Sequence, residues 1–168
     1  MRVYIPATVA ALRAALAAGA ISAPRGHGYA VTTGLSAEYP GADVEELEYL
    51  AMQDAARTSL RLLADSVLDV DPGSAAVRVV VAADVATAVP NPAGERSSVL
   101  LDRPVPWRDV AAVHLDGADA ADAVAAAAAV IHEADLGDPD AEFVLGSAED
   151  FELAWYAPDE IAYLVEEL

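Results

Sequence analysis

Apolar positions recur along this chain with two different periods, and they divide it into short strands and longer helices. Residues 3–5 are β-branched or aromatic and precede Pro6, a pattern that predicts a first strand ending at the proline. Thr8 then precedes apolar residues at helical spacing, and Gly19 follows them. This arrangement predicts a helix with a threonine N-cap and a glycine stop.

The longest helix is expected to begin after Asp43, because Glu46 follows it at the spacing of a capping box. Apolar residues three and four positions apart predict one buried stripe along this helix: Tyr49, Met52, Ala56, Leu60 and Leu63. The opposite face carries polar residues that we expect to be solvated: Gln53, Arg57, Arg61 and Asp65. The helix is therefore predicted to pack by one face only.

Residues 77–83 form the most strongly apolar run, interrupted only by Arg78, and predict a central strand covered on both faces. Further elements are expected in order along the chain: strands at 29–32, 99–101 and 113–115, a helix at 119–134, strands at 143–145 and 151–156 joined as a hairpin, and a last helix opened by Pro158. This order predicts an α/β or α+β fold, a single-domain sandwich of a mixed β-sheet with about four helices over residues 1–168. Flexible loops are expected near 66–75 and 86–98.

Charge narrows the choice of partners more than any motif does. The 168 residues include 28 acidic residues against nine basic ones, all of them arginine, which leaves a formal charge of −19. Repulsion from phosphates and from anionic lipid opposes binding to nucleic acid or to a membrane surface. A basic protein is the partner that this charge favours.

The sequence contains no cysteine, so disulfides, thiolate nucleophiles and cysteine-based zinc sites are excluded. The first residues lack the long apolar core of a signal peptide, and no apolar run reaches the length of a membrane span. We therefore expect a cytoplasmic location. Oligomeric state is not encoded in any pattern.

Two carboxylates stand at the ends of predicted strands, and they are the first candidates for chemistry. Asp84 follows the run at 77–83, and Asp116 follows the strand at 113–115, which also carries His114. Ligands gather at strand ends in open α/β sheets, so these residues are candidates for an acid/base pair or a site for a divalent cation. The competing interpretation is that each aspartate only ends its strand or caps the next element.

A second set of candidate metal ligands surrounds a turn near residue 137: Asp135, Asp138, Asp140 and Glu142. Oxygen-rich loops suit Ca²⁺, but this spacing differs from the EF-hand pattern. The alternative is an acidic turn that is solvated and binds nothing.

An aromatic segment near the end of the chain is a candidate for contact with a partner. Packing of alternate residues in 151–156 within the core explains its pattern without a ligand. If two of the aromatic residues were instead exposed beside neighbouring acids, they would form an acidic-rimmed aromatic patch of the kind that anchors partners. The residues of that patch are Trp107, Glu149, Asp150, Tyr156 and Asp159.

Five segments together resemble a known family: 1–8, 45–49, 79–85, 110–116 and the Trp155–Tyr156 pair. The chain resembles an uncharacterised family of small acidic proteins from high-GC actinobacteria, described as a domain of unknown function. The resemblance covers nearly the whole chain and implies a stand-alone domain. It implies no activity, cofactor or catalytic residue.

Two functional hypotheses of different classes follow from the sequence. The first is a non-enzymatic protein-interaction or regulatory module with an acidic surface and a basic protein partner. The alternative is a metal-assisted enzyme, a hydrolase or a phosphoryl-type enzyme that uses Asp84 and Asp116. No cofactor is predicted apart from the divalent cation of the enzyme alternative. An enzyme requires these side chains to converge in a concave pocket, whereas a module requires an exposed patch.

Overall fold

The computed structural model describes residues 1–66 and 74–168, in which strands and helices alternate along the chain. The strands are β1 (Arg2–Ala7), β2 (Ala20–Ile21), β3 (His27–Tyr29), β4 (Val79–Asp84), β5 (Val89–Pro90), β6 (Ser98–Leu100), β7 (Val105–Pro106), β8 (Val110–Leu115) and β9 (Ala154–Tyr156). The helices are α1 (Val9–Ala18), α2 (Thr33–Glu38), α3 (Val44–Asp65), α4 (Ala121–Asp135), α5 (Pro139–Glu149) and α6 (Ile161–Glu167). Short 3-10 turns occur at Pro24–Gly26, Trp107–Asp109 and Ala118–Ala120.

Seven of these strands form one sheet in the order β5-β6-β3-β1-β4-β8-β9, and β2 pairs separately with β7. The predicted mixed α/β class is confirmed. Every pairing within the described part of the chain is antiparallel, which differs from the mixed sheet expected from the element order. The difference arises because strand direction depends on long-range pairing, which local periodicity does not report.

Strand β4 lies at the centre of the sheet between β1 and β8, as its apolar sequence predicts. Val79, Val81 and Ala83 face one core cluster together with apolar residues of α1 and α6. The alternate residues Val80 and Ala82 face a second cluster with α3. A sheet with helices on both faces explains why this strand is apolar throughout rather than at every second position.

The hairpin of α4 and α5 forms a further layer outside α3. Leu60 of α3 is fully buried against Ile131 of α4 and Leu145 of α5 in a third apolar cluster. On the sheet side, the buried Ser59 hydroxyl donates to the Ala7 carbonyl at 2.7 Å and accepts from the Val79 amide at 3.0 Å. Helix α3 is thus fixed to the sheet on one side and to the hairpin on the other.

Several local predictions are confirmed because their signals are short-range. The Thr8 side chain accepts from the Ala11 amide, and Gly19 has a φ of 70° at the end of α1. Asp43 and Glu46 form the predicted reciprocal capping box. Within the structure that is described, no helix combines the length and the apolar character that a membrane crossing requires.

The predicted strand at 143–145 and its hairpin are wrong, because these residues belong to helix α5. The Asp138 side chain caps this helix and Pro139 occupies its first position, so the dipeptide starts a helix rather than a turn. Helix α2 was also not predicted, since the strand expected at 29–32 ends at Tyr29 and Thr32 caps a helix instead. The structure thus has six helices in its described residues rather than about four.

Of the two expected loops, most of 66–75 lies outside the described residues. The segment 86–98 contains the two-residue strand β5 and the first residue of β6, and is otherwise irregular.

Candidate functional site

The strand-end carboxylates Asp84 and Asp116 lie at opposite ends of the sheet. Strands β4 and β8 are antiparallel, with Val79 opposite Leu115 and Ala83 opposite Val110. The end of one strand therefore lies beside the start of the other. The structure does not bring these two carboxylates together.

Each of these carboxylates is instead bound to an arginine. Arg2 donates from Nε and Nη2 to the exposed carboxylate of Asp84 at 2.8 and 3.2 Å, and this contact lowers the pKa of Asp84. Arg78 donates in the same forked geometry to the buried carboxylate of Asp116 at 2.9 and 2.7 Å. A guanidinium that binds both oxygens occupies the lone pairs that a metal ion would use.

His114 lies opposite Trp155 on the neighbouring strand β9. Burial is the main cause that lowers the pKa of its imidazole, and the nearby charge of Arg2 lowers it further. A half-buried neutral imidazole beside an edge strand is consistent with a packing role.

Of the four candidate metal ligands around the α4–α5 turn, Asp135 and Glu142 pair with arginines of α3, Asp138 caps α5, and Asp140 is exposed with no side-chain hydrogen bond in the described structure. Arg61 binds both oxygens of Asp135 at 2.8 and 3.0 Å, and this contact is the main reason that the pKa of Asp135 is lowered. Arg57 binds Glu142 at 2.8 Å, while Asp138 accepts from backbone amides at the start of α5. The face of α3 that was expected to be solvated therefore carries ion pairs to the hairpin. Among residues 1–66 and 74–168, no group of three or more His, Asp or Glu side chains is arranged to hold a metal ion.

The aromatic residue that the structure exposes is not one of those predicted for the patch. Trp107 and Tyr156 pack against the core cluster that includes residues of α1 and α6. Trp155, in contrast, is exposed to solvent. The predicted acidic members of the patch are exposed: Glu149, Asp150 and Asp159. Trp155 lies on β9, an edge strand that pairs only with β8 in the described structure.

A large open hollow lies elsewhere, along α2 and the first half of α3. One hollow of about 770 Å³ and a second of about 350 Å³ share Glu38, Tyr39 and Leu50 in their walls. We call the pair the acidic groove; its remaining wall residues are Leu35, Pro40, Gly41, Ala42, Glu45, Glu46, Tyr49, Gln53, Asp54, Glu95 and Arg96. No sequence pattern or motif indicated this surface, because its walls come from three separate segments. These are α2 with the loop that follows it, α3, and the loop after β5.

Two tyrosines provide the aromatic part of the acidic groove. Tyr39 follows α2 and Tyr49 lies one and a half turns into α3, and 43% and 48% of their surfaces are exposed. Ala56 and Leu60 of the predicted stripe of α3 are buried, whereas in the first half of the helix the buried residues are Leu47, Ala51 and Ala55 rather than Tyr49. Tyr49 therefore faces solvent in the part of α3 where the prediction differs from the structure.

Carboxylates dominate the charge of the acidic groove. Glu45 makes no hydrogen bond or ion pair within the described structure, and Glu46 accepts only from the Asp43 amide. The single arginine in the walls, Arg96, is 3.9 Å from Glu38 and makes no closer contact with it. The groove therefore has an excess of negative charge beside exposed aromatic faces.

Asp54 lies in the wall of the groove, where partial burial disfavours the charged form of its carboxylate. Burial raises the pKa of Asp54, the Ser97 hydroxyl that donates to it lowers the pKa, and the neighbouring charge of Glu95 raises it again. Groups with a perturbed pKa occur preferentially at functional sites.

Asp54→Asn is expected to raise the stability of the protein at neutral pH. Because the pKa of Asp54 is raised in the folded state, the folded protein binds this proton more tightly than the unfolded chain does. The resulting stabilisation is complete below the pKa of the unfolded state. It is lost as the pH rises through the pKa of the folded state. An amide avoids this loss and still accepts from Ser97. The gain is measured by urea denaturation at neutral pH.

The same gain should shrink as the pH falls toward about 3, where the aspartate is protonated in both states. Asp140→Asn on the exposed first turn of α5 is the matched control and should show no such pH-dependent gain. A wild-type protein more stable than Asp54→Asn at neutral pH would contradict the prediction.

Comparison with known proteins places the chain in a family but transfers no activity to it. No curated protein and no solved structure matches the chain. One family model, described as a family of unknown function, matches residues 1–165. The expected resemblance to an uncharacterised family is thereby confirmed, and the chain belongs to DUF6912, a family of unknown function.

Proposed function

We propose that this protein is a protein-interaction module whose acidic groove binds an arginine- or lysine-rich segment of a partner protein. The observation that carries the proposal is the convergence of two half-exposed tyrosines and weakly neutralised carboxylates on one open groove. A regulatory role through such a partner is included in this proposal.

A cationic side chain fits this groove better than a neutral one. The faces of Tyr39 and Tyr49 attract a guanidinium or an ammonium through the ring quadrupole, by about 0.5–2 kcal/mol for each contact. Glu45 and Glu46 lie in the same wall and can accept its hydrogen bonds. Since the side chains of Arg and Lys also have apolar stems, the wall formed by Pro40 and Ala42 can pack against them.

The size of the groove favours an extended segment over a single side chain. The two hollows continue into one another through Tyr39 and Leu50, and the second one has Asp54 and Glu95 in its walls. Successive basic residues could therefore meet successive carboxylates. A cation beside Asp54 would also relieve the repulsion between Asp54 and Glu95 that raises the pKa of Asp54.

Long-range electrostatics would assist the encounter. The formal charge of −19 attracts a basic segment from a distance and accelerates association at low ionic strength. Because this long-range attraction acts over the whole surface, the contacts with the tyrosines must decide where the basic segment binds.

The double variant Tyr39→Ala/Tyr49→Ala tests the proposal without any change of net charge. A fluorescent peptide of alternating arginine and glycine, titrated with the full chain in about 150 mM NaCl, is expected to bind the variant at least about tenfold more weakly than the wild type. The measurement is fluorescence anisotropy. A peptide with glutamate in place of arginine should not bind.

Tyr163→Ala is the matched control, because Tyr163 is an exposed tyrosine on α6, away from the groove. Its affinity for the arginine peptide should equal that of the wild type. Equal affinities for all three proteins would assign the binding to general charge attraction and would reject the groove as the site.

A further inference from the structure

A second cavity, separate from the acidic groove, lies where the segment after β4 meets the segment between β6 and β8. Its volume is about 240 Å³, below the usual size of a cofactor site and suited to a small molecule. Its walls contain Val85, Ala86, Thr87, Leu101, Asp102, Arg103, Pro104, Val105, Pro106, Arg108 and Asp109. We call it the arginine cavity.

Three side chains in the wall of the arginine cavity are donors that make no hydrogen bond. Within the described structure, neither the guanidinium of Arg103 nor that of Arg108 makes a hydrogen bond, and the Thr87 hydroxyl makes none. Five other arginines of the chain do bond through their guanidinium groups: Arg2, Arg13, Arg57, Arg61 and Arg78. Arg103 and Arg108 thus bring two guanidinium groups without hydrogen bonds to one cavity.

The two aspartates in the cavity wall neutralise these arginines only weakly. Arg103 is 3.7 Å from Asp102 and Arg108 is 3.9 Å from Asp109, both beyond hydrogen-bond distance. The arginine side chains are 80% and 82% exposed. Exposed pairs of this kind contribute little to stability, so an incoming anion can displace them.

A third arginine belongs to the neighbouring backbone segment. The Leu101 amide donates to the Gly26 carbonyl at 2.8 Å, which places the turn that carries Arg25 beside the cavity wall. Arg25 is exposed and has a φ of 53°, a left-handed conformation that is uncommon for a residue with a side chain. Three arginines without guanidinium hydrogen bonds thus belong to adjoining segments.

We propose that the arginine cavity binds a small organic oxyanion, with its phosphate or carboxylate group on Arg103 and Arg108 and its apolar body against Leu101 and Val105. A guanidinium donates two parallel hydrogen bonds to either kind of oxyanion, so the two headgroups share one recognition chemistry. Thr87 supplies a further donor at the wall.

The negative charge of the whole protein does not prevent this binding. At physiological ionic strength, charges more than about 8 Å apart are largely screened, so a small anion responds mainly to the arginines nearest to it. A nucleic acid is different, because it would extend over the acidic surface beyond the cavity. The proposal is independent of the acidic groove.

Phenyl phosphate and benzoate, which share one ring and differ in headgroup, are the probes for the full chain. Thermal unfolding is measured with each probe, with inorganic phosphate, and with NaCl at matched ionic strength. We expect at least one of the two ring compounds to raise Tm above the salt control and to bind more tightly than inorganic phosphate. The headgroup with the larger shift identifies the class of ligand.

Variants locate the site. Arg103→Ala/Arg108→Ala is expected to weaken binding about tenfold or more, while Asp102→Asn/Asp109→Asn should strengthen it severalfold because the competing carboxylates are gone. Arg96→Ala is the control, since Arg96 is 72% exposed and also 3.9 Å from its nearest carboxylate, but lies in the acidic groove. All these side chains are exposed, so circular dichroism should show folded variants.

Three results would overturn the proposal. These are a Tm shift no larger than that in NaCl, equal binding by the double arginine variant and the wild type, or an equal loss of binding in Arg96→Ala. The last result would indicate general attraction to exposed arginines instead of a site.

Discussion

Asp116→Asn is expected to lower the free energy of unfolding by about 3–5 kcal/mol, the range found when one partner of a buried ion pair is removed. Asp116 and Arg78 have side chains that are almost completely buried, and they form the interior ion pair between the start of β4 and the end of β8. The measurement is urea denaturation at neutral pH.

The geometry of the pair explains the size of this effect. One oxygen of Asp116 accepts from the backbone amide of Arg78 at 2.8 Å and from its Nε at 2.9 Å, while the other accepts from Nη2 at 2.7 Å. Asparagine has one acceptor oxygen and places an NH₂ group where the second acceptor was. The variant thus leaves a buried guanidinium without its counter-charge and brings two donors together.

Asp84→Asn is a matched control that differs mainly in burial. Arg2 binds Asp84 through the same two kinds of guanidinium nitrogen, but 59% of the Asp84 side chain is exposed. Its loss should reduce stability by less than about 1 kcal/mol. Equal effects of the two substitutions would show that burial of the Arg78 pair contributes nothing to its importance.

Leu60→Ala is expected to reduce stability by about 2–5 kcal/mol, the range for a buried leucine whose removal leaves a cavity. Leu60 is fully buried between α3 and the α4–α5 hairpin, where it belongs to a cluster with Val124, Ile131 and Leu145. Much of that cluster is alanine, so few large side chains are present to fill the space that Leu60 leaves. Thermal or urea unfolding measures the loss.

Leu136→Ala provides the control for this substitution, because Leu136 is an exposed leucine at the end of α4. It should change stability by no more than about 0.5 kcal/mol. A Leu60→Ala protein as stable as Leu136→Ala would mean that the hairpin does not depend on its apolar contact with α3, and that the ion pairs of Arg57 and Arg61 hold it instead.

The distribution of arginines separates stability from binding in this protein. Arg57, Arg61 and Arg78 join separate helices or strands through short contacts with carboxylates. Arg103 and Arg108 contact only their sequence neighbours. The first group should therefore affect unfolding when substituted, whereas the second should affect ligand binding with little change in stability.

The candidate sites show where local patterns lose their predictive power. The sequence correctly located Asp84 and Asp116 at the ends of strands, since a long apolar run that stops at an aspartate is a local signal. Their separation follows from the antiparallel pairing of β4 with β8. That pairing joins residues far apart in the chain, so no window of local sequence contains it.

The acidic groove could not be predicted from the sequence for a related reason. Tyr39 and Tyr49 belong to different helices, and Glu95 enters from a loop after β5. Helix α2 itself was missed, because Thr32 and Thr33 extend the β-branched pattern of the preceding strand even though Thr32 caps a helix. The groove exists only after α2, α3 and this loop have packed together.

By itself, the sequence determined the elements whose signals lie within one helical turn or one strand: the Thr8 and Asp43 caps, the Gly19 stop, the central strand β4 and the acidic charge. Capping bonds span three residues and periodicity spans a few more, so their energies depend on neighbours in sequence. The tertiary structure alone decided the strand order, the burial of the Arg78–Asp116 pair and the location of both cavities. These features depend on contacts between distant segments, and their energies appear only when the whole chain has folded.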